Sequence, residues 1–232
     1  MSAAMGLPAG TVTFLFSDIE GSTRLLHQLG DRYGELVAQH RRVMRESAAE
    51  AAGTEIDAQG DSFFFCFTRA RDAVAGALSA QRRLAAERWP DDAPVKVRMG
   101  LHTGEPTLGD EGYLGLDVVR GARIGAAAHG GQILVSETTR ALLPKALPED
   151  AQLLDLGEHT LKDMEDPERL FQLVAPGLGD TFPEPRVASP PTPSGELSSK
   201  ITEYVERQLA AAFEIEREEE SGAWVFRRRR KS

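Results

Sequence analysis

Near the amino terminus, residues 11–24 read TVTFLFSDIEGSTR, a run that changes from apolar to polar at its middle. The first half alternates aromatic and β-branched residues, which predicts a buried β-strand. Asp18 stands at the end of this strand, and Gly21, Ser22 and Thr23 stand where a helical pattern begins. A carboxylate is a hard ligand for a divalent cation, and the first N–H groups of a helix attract phosphate. Simple helix capping by Asp18 or Ser22 explains this stretch equally well.

A second stretch, residues 55–67, reads EIDAQGDSFFFCF and predicts a hairpin with its turn at residues 59–62. Asp61 lies in that turn. If the two stretches join one sheet, Asp18 and Asp61 face each other, and two carboxylates could hold two cations roughly 3.5–4 Å apart for an in-line displacement at phosphorus. The alternative is that Gly60 and Asp61 only make the turn, because both are ordinary turn residues.

The rest of the main body alternates helical and extended patterns. Helical spacing covers residues 25–52, with a break near Gly30, and residues 69–88. A third helix, LDVVRGARIGAAAH, is rich in small residues, which let another backbone approach closely at a subunit interface or in a packed core. Strand patterns follow the order 95–102, 132–136, 151–156 and 170–174, with a loop at residues 109–113.

Length and composition limit the class of protein. The chain has 232 residues, of which 41% are hydrophobic, enough for one domain with appendages. The net charge of −9 argues against nucleic-acid binding by the main domain. No run approaches the roughly 18 apolar residues of a membrane span, and the first ten residues lack the pattern of a signal peptide. These features predict a soluble, cytoplasmic protein.

The cysteine and three of the histidines are not expected to be nucleophiles, catalytic acids or metal ligands. A single cysteine excludes an intramolecular disulfide framework, and Cys66 within FFFCF is expected to be a buried, inert thiol. His27 and His40 lie on a helix without a second ligand at metal-binding spacing, so both are expected to be packing or surface residues rather than ligands. His102 has no evident nucleophile beside it, so a structural role is favoured there as well.

Composition divides the chain into four parts. The main domain covers residues 10–174, and a linker rich in proline, glycine and serine covers residues 175–195. Residues 196–220 carry an apolar stripe that predicts an amphipathic helix, which packs on the domain, pairs with a copy of itself or docks on a partner. The basic tail, residues 221–232, could contact an anionic membrane, nucleic acid or a partner, or only balance the acidic residues before it.

Five blocks of the main domain, in their order and spacing, resemble the class III nucleotidyl cyclase catalytic domain. They are FLFSDIEGST (14–23), QGDSFFFCF (59–67), GLHTGE (100–105), YLGLDVVRGARI (113–124) and AHGGQILVS (128–136). The resemblance implies an α+β, ferredoxin-like mixed sheet with flanking helices. It also implies an active site at a dimer interface, with two Mg²⁺ or Mn²⁺ ions as cofactors.

The resemblance assigns roles to residues at matching positions. It makes Asp18 and Asp61 the metal aspartates and adds the Ile19 carbonyl as a further ligand. Arg123 takes the position of the arginine that stabilises the transition state. The triphosphate would be held by the amides around Gly21, Ser22 and Thr23, and by Lys162 in the loop between the last two strands of the domain.

The chain departs from the family at the positions that read the base and the ribose. Asp57 stands where the family usually has a lysine that reads the purine, and Gly112 where it commonly has aspartate or threonine. Val119 replaces the asparagine that orients the ribose. An acid reverses the charge offered to the base, and valine cannot donate a hydrogen bond.

These observations predict an adenylate or guanylate cyclase that acts in signalling on a nucleoside triphosphate, most simply as a homodimer. Activity could be weak, of unusual base preference, or dependent on a partner chain that supplies the missing base-recognition residues in a heterodimer. The alternative is a non-catalytic module that binds nucleotide or a partner chain. Retention of both aspartates and Arg123 favours catalysis.

Overall fold

The computed structural model describes residues 6–90, 93–109, 112–145, 147–187, 213–217 and 224–228. Short 3₁₀ turns lie at Gly30–Arg32 and Pro148–Asp150. In chain order the other elements are β1 (Val12–Ile19), α1 (Ser22–Leu29), α2 (Tyr33–Glu50), β2 (Thr54–Gln59), β3 (Ser62–Phe67), α3 (Ala70–Ala86), β4 (Val97–Gly104), β5 (Thr107–Gly109), β6 (Gly112–Leu114), α4 (Leu116–Ala127), β7 (Ile133–Ser136), α5 (Glu137–Leu142), β8 (Gln152–His159), β9 (Glu168–Val174), β10 (Phe213–Arg217) and β11 (Trp224–Arg228).

Seven strands form one sheet in the order β2-β3-β1-β4-β7-β9-β8. Only the β4–β7 pair is parallel, and the other neighbours are antiparallel. All eight residues of β1 are buried, as expected for a strand with neighbours on both edges and helices on both faces. The mixed, mostly antiparallel sheet flanked by helices confirms the predicted α+β fold.

The two faces of β1 belong to different cores. Leu15 and Ile19 face a large apolar cluster to which α2 and α3 contribute. Phe14 and Phe16 face a second cluster, which includes Tyr113 and residues of α4. Alternate side chains of a strand point to opposite faces, so a single apolar run serves both layers. Asp18 continues the phenylalanine face, and its side chain therefore lies on the same side of the sheet as α4.

The small residues of α4 serve a packed core within the chain. A Cβ on Gly100 of β4 would lie 2.2 Å from the backbone nitrogen of Gly125, and one on Gly121 would lie 2.8 Å from the ring of Phe16. Both distances are too short for a real Cβ contact. The glycines thus let α4 lie directly on β1 and β4, which agrees with the packed-core explanation.

Several boundaries differ from the predictions. Gly112 and Tyr113 belong to β6, which pairs with β5, whereas a loop was predicted there. Residues 175–187 were predicted as a linker, yet they hydrogen-bond to the main domain, for instance through the Arg186 N–H and the Ala127 carbonyl at 2.8 Å. Low apolar content does not prevent such backbone contacts.

The carboxy-terminal predictions are partly wrong. Phe213–Arg217 is a strand that pairs with Trp224–Arg228, so the helix predicted for residues 196–220 does not extend to β10, and part of the predicted basic tail is extended. Strand pairing there overrides a stripe that also fits helical spacing. The remainder of the predicted helix and linker lies outside the described residues. Within the described residues, no helix is long and apolar enough to cross a membrane.

Candidate active site

Strand pairing brings Asp18 and Asp61 together at one end of β1. β1 pairs with β3, and Asp61 directly precedes β3 in the turn after β2. The backbone N–H of Ile19 donates to Oδ2 of Asp61 at 3.2 Å. Both aspartates are 2% exposed. The predicted meeting of these two residues, called the aspartate pair below, is therefore present in the fold.

Burial dominates the electrostatics of Asp18. It raises the pKa of this carboxyl to about 6, and the charge of Asp61 acts in the same direction, although Arg98 opposes both. Nε of Arg98 donates to Oδ1 of Asp18 at 2.5 Å, and its Nη1 donates to the Ala126 carbonyl at 3.1 Å. A further positive charge placed beside a buried carboxyl of raised pKa stabilises its ionised form.

Arg98 was missed by the sequence analysis. It lies on β4 directly opposite Asp18 in the antiparallel register. In the sequence, Arg98 is visible as a polar position in the alternating strand VKVRMGLH. Its partner on the neighbouring strand depends on strand register, which this pattern does not give. Arg98 joins the end of β1 to the carboxyl end of α4.

The aspartate pair fits a divalent cation. Its carboxylates are hard oxygen donors, and the buried Ser62 hydroxyl next to Asp61 has no hydrogen-bond partner among the described residues. No group of three or more His, Cys, Asp or Glu side chains that could hold a metal occurs in the described part of the chain. A cation here would complete its shell with backbone oxygen, water and ligand phosphates, as Mg²⁺ does when one or two carboxylates hold it.

The loop after β1 ends in a glycine cap. Gly21 is the N-cap of α1 and has a left-handed φ of 69°, a conformation that glycine adopts without strain. Ser22 is the first helical residue and hydrogen-bonds to the hydroxyl of Tyr33. Because glycine takes the cap position, capping does not account for Asp18 or Ser22.

Helix α2 holds the turn that carries Asp61. Nε and Nη2 of Arg41 donate to the carbonyl of Gly60 at 2.9 and 2.6 Å. Gly60 itself has a positive φ of 58°. The turn is therefore fixed both by glycine and by a charged clamp from another element.

Arg123 and Lys162 lie in a second group of predicted site residues. Arg123, on α4, forms an ion pair with Asp163 at 2.6 Å, and Lys162 precedes Asp163 in the loop between β8 and β9. The neighbouring Arg120 pairs with Glu168 at 3.5 Å. The fold thus joins α4 to this loop and brings the predicted catalytic arginine, Arg123, and the predicted phosphate-binding lysine, Lys162, to adjoining segments.

The three unusual base and ribose positions have distinct surroundings. Oδ1 of Asp57 accepts from the Ala58 N–H at 2.9 Å, and Oδ2 accepts from the Gln59 amide at 3.0 Å. Val119 packs against the apolar cluster of Phe14 and Phe16. Gly112 has a φ of 126° in β6.

Cys66, His40 and His102 are buried in the core, whereas His27 on α1 is exposed. His102 is 1% exposed and bonds to Ser136 at 2.9 Å, with Asp117 on its other ring nitrogen at 3.4 Å. Burial raises the pKa of the Cys66 thiol to about 11, so the thiolate needed for nucleophilic chemistry is disfavoured. Burial, with the charge of Arg41, lowers the pKa of His40 to about 4, and its ring packs against Phe63.

Known proteins match both the sequence and the fold. The family described as the adenylate and guanylate cyclase catalytic domain matches residues 7–174. An uncharacterised protein of Mycobacterium tuberculosis is 38% identical over 203 residues, which cover 87% of this chain and 68% of that protein. An adenylate cyclase of Podospora anserina is 26% identical over 233 residues, which cover 77% of this chain but 11% of the fungal protein.

Among solved structures, an adenylate cyclase of Trypanosoma brucei in its monomeric state superimposes with a TM-score of 0.72 at 24% identity. The match covers 79% of this chain and 97% of the other, and it concerns the fold. The family match spans the whole seven-stranded sheet and includes the aspartate pair, Arg98 and Arg123. The chain therefore belongs to the adenylate and guanylate cyclase catalytic domain family.

Proposed function

We propose that the protein is a nucleotidyl cyclase that converts a nucleoside triphosphate, ATP or GTP, into a 3′,5′-cyclic nucleotide in intracellular signalling. The observation that carries the proposal is the buried aspartate pair at the end of β1, within a domain of this family. In the reaction, the 3′-oxygen forms a bond to the α-phosphorus, the bond to the leaving oxygen breaks, and pyrophosphate departs with the hydroxyl proton released.

The aspartate pair and the Ile19 carbonyl would hold two Mg²⁺ or Mn²⁺ ions. When bound, these ions lower the pKa of the 3′-hydroxyl and neutralise the leaving phosphates. The amides of Gly21, Ser22 and Thr23 lie at the start of α1 and would bind phosphate oxygens. Charge that is fixed in place before the reaction stabilises the charge that develops in the transition state.

The proposed active form is a dimer in which each site draws on both chains. One chain would supply the aspartate pair, and the other would supply Arg123 and Lys162. Arg123 would then exchange or share its ion pair with Asp163 to reach the transferring phosphate. A heterodimer would add base-recognition residues that this chain lacks.

A non-catalytic module is the second candidate, and two observations favour it. The Asp57 carboxylate already accepts two hydrogen bonds from its own strand, and Val119 packs in an apolar cluster. Neither residue offers the usual contact to base or ribose. Such a module would bind nucleotide or a partner chain without turnover.

Product analysis distinguishes the two candidates. The purified protein is incubated separately with ATP, GTP, CTP and UTP, with Mg²⁺ or Mn²⁺, and cyclic monophosphates are identified by mass spectrometry. We expect product from a purine nucleotide and its loss in Asp61→Ala or Asp18→Ala. Unchanged turnover in either variant would refute the metal assignment. Absence of product, with nucleotide binding by calorimetry, would favour the second candidate or an enzyme that is active only with a partner chain.

A further inference from the structure

The chain returns to the end of β1, where Asp18 lies, after the family-matched domain has ended. We call residues 176–187 the strap. Its contacts with the main domain are spread along its length, and Pro185 within it is buried. Four hydrogen bonds make these contacts: Arg82 Nη2 to Pro176 O at 3.3 Å, Gln172 Nε2 to Asp180 O at 2.7 Å, His129 Nε2 to Glu184 O at 2.9 Å and Arg186 N to Ala127 O at 2.8 Å.

Near its end the strap makes a charged contact with Glu20, the residue that follows β1. The guanidinium of Arg186 donates to the carboxylate of Glu20, 166 positions earlier in the chain. Glu20 follows the predicted ligand Ile19 and is two residues from Asp18. The backbone of Gly130 hydrogen-bonds to the Glu20 carboxylate, and glycine leaves room for that side chain, because a Cβ at this position would lie 2.7 Å from Oε2 of Glu20.

The electrostatic influence of Arg186 reaches both acids. The side chains of Arg186 and Glu20 form an ion pair that is partly shielded from solvent, since they are 43% and 29% exposed. The charge of Arg186 also acts on Asp18, in the same direction as Arg98. Arg186 therefore neutralises an acid that would otherwise add negative charge beside a cation site.

We propose that the strap sets the net charge around the cation site. Arg186 is a positioning residue that acts through Glu20. By neutralising Glu20, it holds the affinity for divalent cations below the value that the acids alone would give. The inference rests on the proposed function, since it takes the aspartate pair as the cation site. Displacement of the strap would break the ion pair between Arg186 and Glu20 and raise the affinity for cations. The position of the strap would thereby control the cation site.

The test is Mn²⁺ binding to the full chain without nucleotide, measured at low salt by the electron paramagnetic resonance signal of unbound Mn²⁺. Arg186→Ala leaves Glu20 uncompensated, so we expect Mn²⁺ to bind about three- to tenfold more tightly. Glu20→Gln leaves Arg186 uncompensated, so binding should weaken by a similar factor. The double variant should return close to the wild-type affinity.

Opposite signs separate an electrostatic role from a structural one. A strap that only braced the domain would give weaker binding in both single variants, which would overturn the inference, as would no change in either. Arg82→Ala is the matched control, because it removes a strap contact at Pro176 without changing Glu20, and it should leave the affinity unchanged. Wild-type binding that survives in Asp61→Ala would refute the proposed site itself. Binding that Asp61→Ala abolishes but Arg186→Ala leaves unaltered would refute the strap inference alone.

Discussion

At the scale of single residues, burial and cation binding favour opposite protonation states of the aspartate pair. Ionised Asp18 is buried, which is unfavourable in the metal-free protein, yet the ionised form is the one that binds a cation. Arg98 offsets only part of the cost, since the pKa of Asp18 remains raised to about 6. The residue is thus poised to gain from a divalent cation, which is why we place the chemistry there.

This raised pKa predicts a pH-dependent stability in the metal-free protein. The folded state holds a proton on Asp18 that the unfolded state has already lost above its ordinary pKa of 3.8, so the contribution of Asp18 to stability falls as pH rises from about 4 to about 6. The loss attributable to Asp18 is at most on the order of 3 kcal/mol and is complete above pH 6.

Urea unfolding of wild type and Asp18→Asn, both in EDTA, measures this contribution. The difference in unfolding free energy between the two proteins should change with pH in favour of the variant up to about pH 6 and then stay constant. Only the change of this difference with pH tests the prediction. The part of the difference that does not depend on pH does not, because the variant also alters the contact with Arg98. A difference that moves in favour of wild type across this range would contradict the raised pKa.

At the scale of elements, the contact between α4 and the sheet depends on glycine. Gly100→Ala would place a methyl group 2.2 Å from the backbone nitrogen of Gly125, and backbone cannot move aside cheaply. We expect a loss of about 2–4 kcal/mol in unfolding free energy or failure to fold. Because α4 carries Arg123, any cyclase activity should fall as well.

A glycine elsewhere in the chain provides the control. Gly34 lies inside α2, and a Cβ there would meet nothing within 4 Å. Gly34→Ala should therefore stabilise the protein by about 0.5–1 kcal/mol, through the lower conformational entropy of the unfolded chain. Equal destabilisation by both substitutions in chemical denaturation would refute the close-packing argument for α4.

At the scale of the whole molecule, the proposed dimer makes a prediction about mixtures. If one chain provides the aspartate pair and the other provides Arg123, then Asp61→Ala and Arg123→Ala are each inactive alone. Mixed dimers contain one site with both wild-type groups. Random exchange makes half of all dimers mixed, so activity should recover to about a quarter of the wild-type value.

Cyclic nucleotide formation after the two variants are mixed or co-expressed checks this prediction. The control is a mixture of Asp61→Ala with Asp18→Ala, which lack the same half of the site and should not complement each other. Recovery in both mixtures, or in neither despite an active wild type, would contradict a site shared between chains.

The residue patterns along the chain by themselves determined the central strand, the break near Gly30 and the hairpin of Asp61, because apolar period and turn chemistry are local properties. The α+β class came from the resemblance of the five sequence blocks to the cyclase family. The residue patterns also identified both aspartates as candidates. Only the tertiary structure decided which groups surround them. Arg98 reaches Asp18 across 80 positions of sequence and Arg186 reaches Glu20 across 166, through strand register and the return of the strap. A periodic pattern predicts which residues are buried, but not which strand lies beside which or where a polar segment docks. Contacts that join distant parts of the chain exist only once the sheet has formed.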